Sequence, residues 1–153
     1  MLETMKRTRD AKASGSGPAH EILVIDDEPV LRMTFKHILE EEGYRVRVGK
    51  DGREGLRIFE ERRPALVITD MIMPVVDGFE IIARLRDEDP RLPIIAISAF
   101  VDPGRMEQPL ECGAFCYLTK PVNMQVLLDL IRAILVPERE PIADLNDVDL
   151  PSR

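Results

Sequence analysis

The stretch "LVITDMIMPVVDG", from Leu66 to Gly78, decides the fold class. Four apolar or β-branched residues end on a carboxylate, Asp70, and a loop with a proline leads to Asp77 and Gly78, which signal a turn and the start of a helix. A short apolar run of this kind is typical of a strand buried on both faces of a parallel sheet. The fold must therefore explain why a charged side chain ends a core strand.

Patterns of the same two kinds alternate along the chain. Short apolar runs predict five strands, and apolar residues at helical spacing predict five helices. The predicted strands are 21–26, 45–49, 65–70, 92–99 and 115–121. The predicted helices are 28–44, 52–63, 78–89, 103–114 and 123–135.

This alternation predicts an α/β fold: a flavodoxin-like, doubly wound, five-stranded parallel sheet with five helices. The first, third and fourth strands are nearly all apolar, as central strands must be, whereas the second alternates and belongs at an edge. These features predict the strand order 2-1-3-4-5. Pro109 lies within the fourth predicted helix and is expected to kink or shorten it.

Capping signals support the helices. Gly43 is predicted to close the first helix, and Asp51 is a predicted N-cap for the second. Glu28 is expected only to complement the amino terminus of the first helix. The apolar positions expected to follow the helical spacing are Val30, Leu31, Phe35, Ile38 and Leu39 in the first helix, Leu56, Ile58 and Phe59 in the second, Phe79, Ile82 and Leu85 in the third, and Val126, Leu127, Leu130, Ile131 and Ile134 in the fifth.

Composition and length indicate one domain in a chain of 153 residues. Residues 1–19 are predicted to be a disordered leader or expression remnant, residues 20–136 the folded domain, and residues 137–153 an acidic, flexible tail. In that tail Ile142, Leu145 and Val148 are spaced three apart, so a short helix that binds a partner protein stays an alternative to a flexible segment.

The chain's net charge and hydropathy exclude some functions. The formal net charge of −7 argues against direct binding of nucleic acid. No apolar run is long enough for membrane insertion, and the amino terminus lacks the apolar stretch of a secretory signal, so a cytoplasmic location is expected. Cys112 and Cys116 have no histidine cluster beside them and do not make a zinc site.

Three carboxylates converge in the predicted topology. Asp26 and Asp27 follow the first strand and Asp70 ends the third, and these strands are neighbours about 4.8 Å apart. Like charges at this separation repel each other unless a cation intervenes. Mg²⁺, which prefers hard oxygen ligands, is the predicted cofactor.

Two further strand ends complete the predicted site. Ser98 ends the fourth strand with a hydroxyl, and Lys120 ends the fifth with an ammonium group. Both can donate hydrogen bonds to phosphoryl oxygens that the metal leaves uncovered. Asp70 could then act as a nucleophile and become an aspartyl phosphate.

These residues resemble a known family. The chain is similar to the response-regulator receiver domains of bacterial two-component signalling, and the resemblance covers about residues 20–136. The motifs that carry it are Asp26-Asp27, Asp70-x-x-Met73-Pro74-x-x-Asp77-Gly78, Ser98-Ala99 and Tyr117-x-x-Lys120-Pro121.

The resemblance implies a metal site and a phosphoacceptor. Asp70 would be the phosphoacceptor. Asp27 and Asp70 would supply carboxylate ligands to Mg²⁺, the Ile72 carbonyl would complete the protein ligands, and Asp26 would act partly through water.

The resemblance also implies a switch. Ser98 and Lys120 would bind the phosphoryl oxygens, Tyr117 would be the aromatic switch residue that responds with Ser98, and the Lys120–Pro121 peptide would be cis.

The implied function is a phosphorylation-dependent signalling switch, expected to be a stand-alone, single-domain receiver that works by protein–protein contact. The phosphoryl donor would be a histidine kinase or a histidine phosphotransfer protein. A downstream protein would bind the face formed by strand 4, helix 4, strand 5 and helix 5. A homodimer is kept as an alternative. The domain would not be an enzyme in the ordinary sense, because it would catalyse only its own phosphoryl transfer and autodephosphorylation.

Other functions remain to be weighed. A constitutive pseudo-receiver and a truncated receiver of a longer regulator share the fold. A phosphatase of the haloacid dehalogenase type needs a second acid two residues after the nucleophile, where this chain has Ile72. A flavin-binding protein needs a loop after the first strand that cradles phosphate, and the acids at 26–28 would repel phosphate without a metal.

Overall fold

The computed structural model describes residues 19–99, 108–111 and 113–135. Within these ranges five strands alternate with five helices. In chain order the elements are β1 (Glu21–Ile25), α1 (Pro29–Glu41), β2 (Arg45–Gly49), α2 (Gly52–Glu61), β3 (Leu66–Asp70), α3 (Gly78–Glu88), β4 (Ile94–Ser98), α4 (Gln108–Glu111), β5 (Cys116–Thr119) and α5 (Met124–Leu135).

All five strands are parallel, in the order β2-β1-β3-β4-β5. The predicted fold class and strand order are therefore confirmed, with the alternating strand β2 at an edge. The register pairs Asp70 with Ile97 and Ser98 with Thr119, so the carboxyl ends of β3, β4 and β5 lie side by side. The side chains of residues at and just after these strand ends must therefore lie close together at the same end of the sheet.

The core has two layers, one on each face of the sheet. Because strand side chains alternate in direction, Leu23 and Ile25 of β1 pack with α2 and α3, whereas Ile22 and Val24 pack with α1 and α5. Full burial of each such side chain stabilises the fold by about 1.5–3 kcal/mol. The sheet is thus fixed from both sides, and the ends of its strands are rigid supports for side chains.

The helix ends follow the predicted capping signals. Asp51 caps α2 by accepting a hydrogen bond from the Glu54 amide at 2.8 Å. Asp77 caps α3 in the same way, accepting from the Glu80 amide at 3.0 Å. Gly43 follows α1 with a φ of +97°, a left-handed conformation that glycine adopts without a steric penalty.

Two apolar positions in the predicted helix patterns are solvent-exposed. Val30 of α1 is 78% exposed, and Val126 of α5 is 43% exposed. The buried face of α5 is centred on Leu127, Leu128 and Ile131. Ile131 follows the two adjacent leucines by four and three residues, so the three side chains share the face toward the sheet. The predicted apolar face therefore holds the buried Leu127 and Ile131, but it includes the exposed Val126 and leaves out the buried Leu128.

Several predictions fall wholly or partly outside the described ranges. Helix α4 is described over four residues, which include Pro109, whereas residues 100–107 and 112 lie outside them, so the expected kink stays a prediction. The leader, apart from Ala19, and the acidic tail also lie outside. Among the described helices, none is long and apolar enough to cross a lipid bilayer.

Candidate functional site at the carboxyl ends of the strands

Three carboxylates gather where β1 and β3 end. Asp26 follows β1 directly, and its backbone amide donates to the Gly49 carbonyl at 3.1 Å, which holds it against β2. Asp70 is the last residue of β3. These two side chains are only 1% and 4% exposed, while Asp27 is more open to solvent. One oxygen from each of the three carboxylates lies within 4.8 Å of the others.

Lys120 brings a cation into this cluster. Its Nζ atom donates to Asp70 Oδ2 at 2.9 Å and lies 3.5 Å from Asp26 Oδ2. Its position follows from β5, because the Lys120 amide donates to the Ser98 carbonyl at 2.9 Å. The Lys120–Pro121 peptide is cis, as the resemblance implied.

The burial and the charges of the cluster shift the pKa values of Asp26 and Lys120. Burial raises the pKa of Asp26, and the charge of Asp70 raises it further, while the hydrogen bond from the Glu28 amide opposes this. Burial lowers the pKa of Lys120, but the hydrogen bond and charge of Asp70, with Asp26 and Glu28, outweigh that effect and raise it. The folded chain thus disfavours the charge on Asp26 and favours the charge on Lys120.

The loop after Asp70 is held close to the carboxylate. The Ile72 amide donates to Asp70 Oδ1 at 3.1 Å, and the Gly78 amide donates to the Met71 carbonyl at 3.0 Å. A Cβ atom at Gly78 would lie 2.6 Å from the Asp70 carbonyl oxygen and 2.5 Å from Met71 Cα. Glycine is therefore required there for the helix start to approach the end of β3. In the same loop Val75 has a φ of +72°, a strained conformation for a β-branched residue.

The structure places the remaining predicted residues around this cluster. Ser98 ends β4 and is buried, one residue beyond Ile97, the β-sheet partner of Asp70. Ile72 lies directly beside Asp70 through its amide, with a side chain that is 60% exposed. Tyr117 sits further back on β5, opposite Ala96, and its half-buried ring packs against the core layer of α2 and α3. The roles of these residues stay predictions.

Sequence reasoning missed one contact of the site. Glu28 was expected only to complement the amino terminus of α1, but its Oε1 atom accepts from Lys120 Nζ at 3.2 Å. Its amide also donates to Asp26 Oδ1 at 2.8 Å. The only signal in the sequence was a third acid soon after the Asp26-Asp27 pair, and a consecutive run of acids does not show which of them turns toward the fifth strand.

One buried oxygen indicates that the cluster fits a metal ion. Within the part of the chain that the structure describes, Asp26 Oδ2 is buried without a hydrogen-bond partner, with Lys120 Nζ only at ion-pair distance. An unpaired carboxylate oxygen among two other carboxylates is unfavourable without a cation. An all-oxygen donor set of carboxylates suits Mg²⁺, so the residues present fit the predicted ion.

Comparison with known proteins identifies the family of the chain. The family model described as the response regulator receiver domain matches residues 22–132. The transcriptional regulatory protein AfsQ1 of Streptomyces coelicolor is 39% identical over 114 residues, which cover 74% of this chain and 50% of AfsQ1. A 14.6 kDa protein of Leptolyngbya boryana is 38% identical over 73% of this chain and 87% of its own length. The chain thus spans about half of AfsQ1.

Solved structures show the same fold. The chemotaxis protein CheY4 of Vibrio cholerae aligns with a TM-score of 0.72 and 29% identity, over 76% of this chain and 99% of CheY4. A response regulator receiver domain protein from Clostridium thermocellum aligns with a TM-score of 0.70 and 36% identity, over 77% of this chain and 96% of that chain.

Proposed function

Because this chain belongs to the family of response regulator receiver domains, we propose that it signals through a phosphoryl group carried on Asp70. The observation that supports this most directly is the contact between Lys120 Nζ and Asp70 Oδ2 at 2.9 Å, beside two further carboxylates. A nucleophilic carboxylate with a cation on one oxygen is ready to share that cation with an arriving phosphoryl oxygen.

The proposed cofactor is Mg²⁺. Asp27 and Asp70 would hold it through their carboxylates, the Ile72 carbonyl would add a ligand, and Asp26 would act partly through water. When bound, the ion neutralises the crowded carboxylates and the negative charge of the phosphoryl oxygens.

The transfer itself involves one bond exchange. A carboxylate oxygen of Asp70 attacks the phosphorus of a phosphohistidine on a histidine kinase or a histidine phosphotransfer protein. The P–N bond breaks, a P–O bond forms, and the imidazole nitrogen retains the electron pair and takes up a proton. Lys120 then donates to a phosphoryl oxygen instead of Asp70, and the Ser98 hydroxyl donates to another.

Loss of the phosphoryl group is the second step. Water attacks the phosphorus, the P–O bond to Asp70 breaks, and inorganic phosphate leaves. We expect catalysis by this chain to be limited to these two reactions on its own side chain. This limit makes it a switch and not an enzyme that turns over a separate substrate.

The signal is proposed to pass through Ser98 and Tyr117 to the face formed by β4, α4, β5 and α5. A downstream protein in the cytoplasm, or a second copy of the chain, would bind that face when Asp70 is phosphorylated. Because the chain covers half of AfsQ1, the same role within a longer regulator is also compatible with the comparison. The phosphoryl chemistry is the same in either setting.

The chemistry is tested by incubating the protein with acetyl phosphate and Mg²⁺ and measuring its intact mass. We expect a gain of one phosphoryl group that Asp70→Asn abolishes. The matched control is Asp87→Asn, an exposed acid on α3, which should be phosphorylated like the wild type. Phosphorylation that persists in Asp70→Asn, or its absence in the wild type while a beryllofluoride–Mg²⁺ mimic also fails to bind, would refute the proposal and favour a constitutive pseudo-receiver.

A further inference from the structure

A groove lies at the other end of the sheet. It has a volume of about 730 Å³ and is formed by the end of α3, the segments that precede β4 and β5, and the end of α5. Phe115, directly before the edge strand β5, lies in its wall with 65% of its surface exposed. Leu130 and Ile134 of α5 also line it and are only partly buried. The groove therefore presents apolar side chains that no described element covers.

The charge of the groove is positive. Its described lining contains Arg86 and Arg91 and no acidic side chain. The Arg86 guanidinium is fixed in place, since it donates to the carbonyls of Gly113 and Pro90. The side chain of Arg91 is exposed, and no ion pair joins it to a described residue. The Asp89 carboxylate accepts a hydrogen bond from the Arg91 backbone amide. An occupant with apolar side chains and several carboxylates would suit this surface.

We propose that the groove binds the acidic segment of this same chain, residues 142–149. Helix α5 ends at Leu135, and Ile134 in its last turn lines the groove, so the chain leaves the domain at this surface. Pro137 follows two residues later and disfavours continuing the helix in its own direction. Six residues, 136–141, are a sufficient tether for a segment that binds so close to its point of exit.

The composition of the segment matches the groove. Its apolar residues Ile142, Leu145 and Val148 are spaced three apart, and Asp144, Asp147 and Asp149 are placed among them. Residues 136–153 carry five acids and two arginines, so their formal net charge is −3. A tethered segment has an effective concentration in the millimolar range, so weak contacts are enough to keep it bound.

The groove is remote from the phosphorylation pocket. It lies at the amino ends of β4 and β5, whereas Asp70 and Lys120 lie at the carboxyl ends, about 15 Å away along strands of four to five residues. Binding of the tail would cover the end of α5 without blocking Asp70. The inference is therefore independent of the phosphoacceptor role.

The test is NMR of the full-length, ¹⁵N-labelled chain. We expect heteronuclear NOE values for residues 142–148 close to those of the folded domain. Replacing Ile142→Ser and Leu145→Ser together should lower these values to those of a flexible segment and shift the amide signals of Gly113 and Phe115. The double variant alters only the tail, so the folded domain is retained.

A reciprocal variant and a matched control complete the test. Phe115→Ser should release the tail, whereas Val126→Ser, a change at an exposed apolar residue of α5 outside the groove, should leave it bound. Flexible tail signals in the wild type would overturn the proposal. It would also be overturned by groove signals that depend on protein concentration and persist in the tail variant, because a second copy would then be the occupant. Acetyl phosphate should still phosphorylate every variant, which separates this inference from the proposed function.

Discussion

Neutralising one acid of the pocket should make the metal-free protein more stable. The change is Asp26→Asn. Asp26 Oδ1 accepts from the Glu28 amide at 2.8 Å, and the asparagine oxygen can keep this hydrogen bond. Since the two side chains have the same shape, the main effect is removal of a buried negative charge.

The size of the effect follows from the distances. At an effective dielectric constant of about 20, two like charges 4.8 Å apart repel by about 3.5 kcal/mol, and opposite charges 3.5 Å apart attract by about 4.7 kcal/mol. Asp26 lies within the first distance of both Asp27 and Asp70, and at the second distance from Lys120. The two repulsions exceed the attraction by about 2 kcal/mol. Solvent around the more open Asp27 weakens its share, so we expect a gain of roughly 1–2 kcal/mol.

The assay is urea unfolding at pH 7 with a chelator and again with excess Mg²⁺. Without metal, Asp26→Asn should raise the free energy of unfolding by that amount, and Asp87→Asn should leave it unchanged. With Mg²⁺ the advantage should shrink, because an ion that binds the native pocket stabilises the wild type more than the variant.

The pH dependence gives an independent check with a fixed sign. The folded state raises the pKa of Asp26 above its ordinary value of 3.8, so the folded state binds this proton more tightly than the unfolded state. The penalty of the ionised carboxylate is fully present above the raised pKa, and it disappears as the pH falls below 3.8. The gap between variant and wild type should therefore close on acidification. A less stable variant at pH 7, or a gap that does not change with pH, would refute the reasoning.

Three further substitutions test the surroundings of the pocket. Lys120→Met leaves buried carboxylates unpaired and should lower the free energy of unfolding by roughly 3 kcal/mol, measured with urea. Because the fold raises the pKa of Lys120, this loss of stability should persist up to pH 10.5, the ordinary pKa of lysine, and diminish only at higher pH. Gly78→Ala forces a Cβ against the backbone at the end of β3 and should cost roughly 1–3 kcal/mol in the same assay, and an unchanged stability would contradict the required close approach. Ile72→Glu places a group that can orient water beside the phosphoryl group and should shorten the lifetime of the phosphorylated form, followed by intact mass. Val75→Glu, an exposed change in the same loop, is its control. We expect slow hydrolysis in the wild type because the apolar Ile72 side chain cannot orient the attacking water, and a wild-type lifetime of seconds would contradict this.

Sequence patterns predicted the sheet well because it has strong one-dimensional signals. Strands β1, β3 and β4 are nearly all apolar, and all of their residues except Glu21 are buried, while β2 alternates and lies at the edge. Hydrophobicity therefore distinguished the central strands from the edge. The cap at Asp51 was predicted, and Asp77 with Gly78 was predicted to mark a helix start, because capping depends on residues three positions apart. Local chemistry and local burial are both visible in a sequence.

Features that depend on packing between distant segments were less visible. Glu28 lies 92 residues from Lys120 in the chain, and only the folded sheet brings the two side chains within 3.2 Å. The buried stripe of α5 includes Leu128 and excludes Val126, because the sheet selects one of several overlapping apolar rows. A periodic pattern defines a helix face only to within about one residue, which is 100° of rotation.

The charges of the pocket also suggest an order of events. Asp26, Asp27, Glu28 and Asp70 lie around the Lys120 ammonium group, and the Arg32 guanidinium donates to the Asp26 carbonyl. Four acids and two cations give the described part of the pocket a formal excess of two negative charges. A phosphoryl donor brings more negative charge and would be repelled from such a pocket. A divalent cation would be attracted to it, and its arrival would offset that excess. We therefore expect the cation to bind before the phosphoryl group. In its absence the hydrogen bond from Lys120 Nζ to Asp70 Oδ2 is the contact that places a positive charge beside this buried nucleophile.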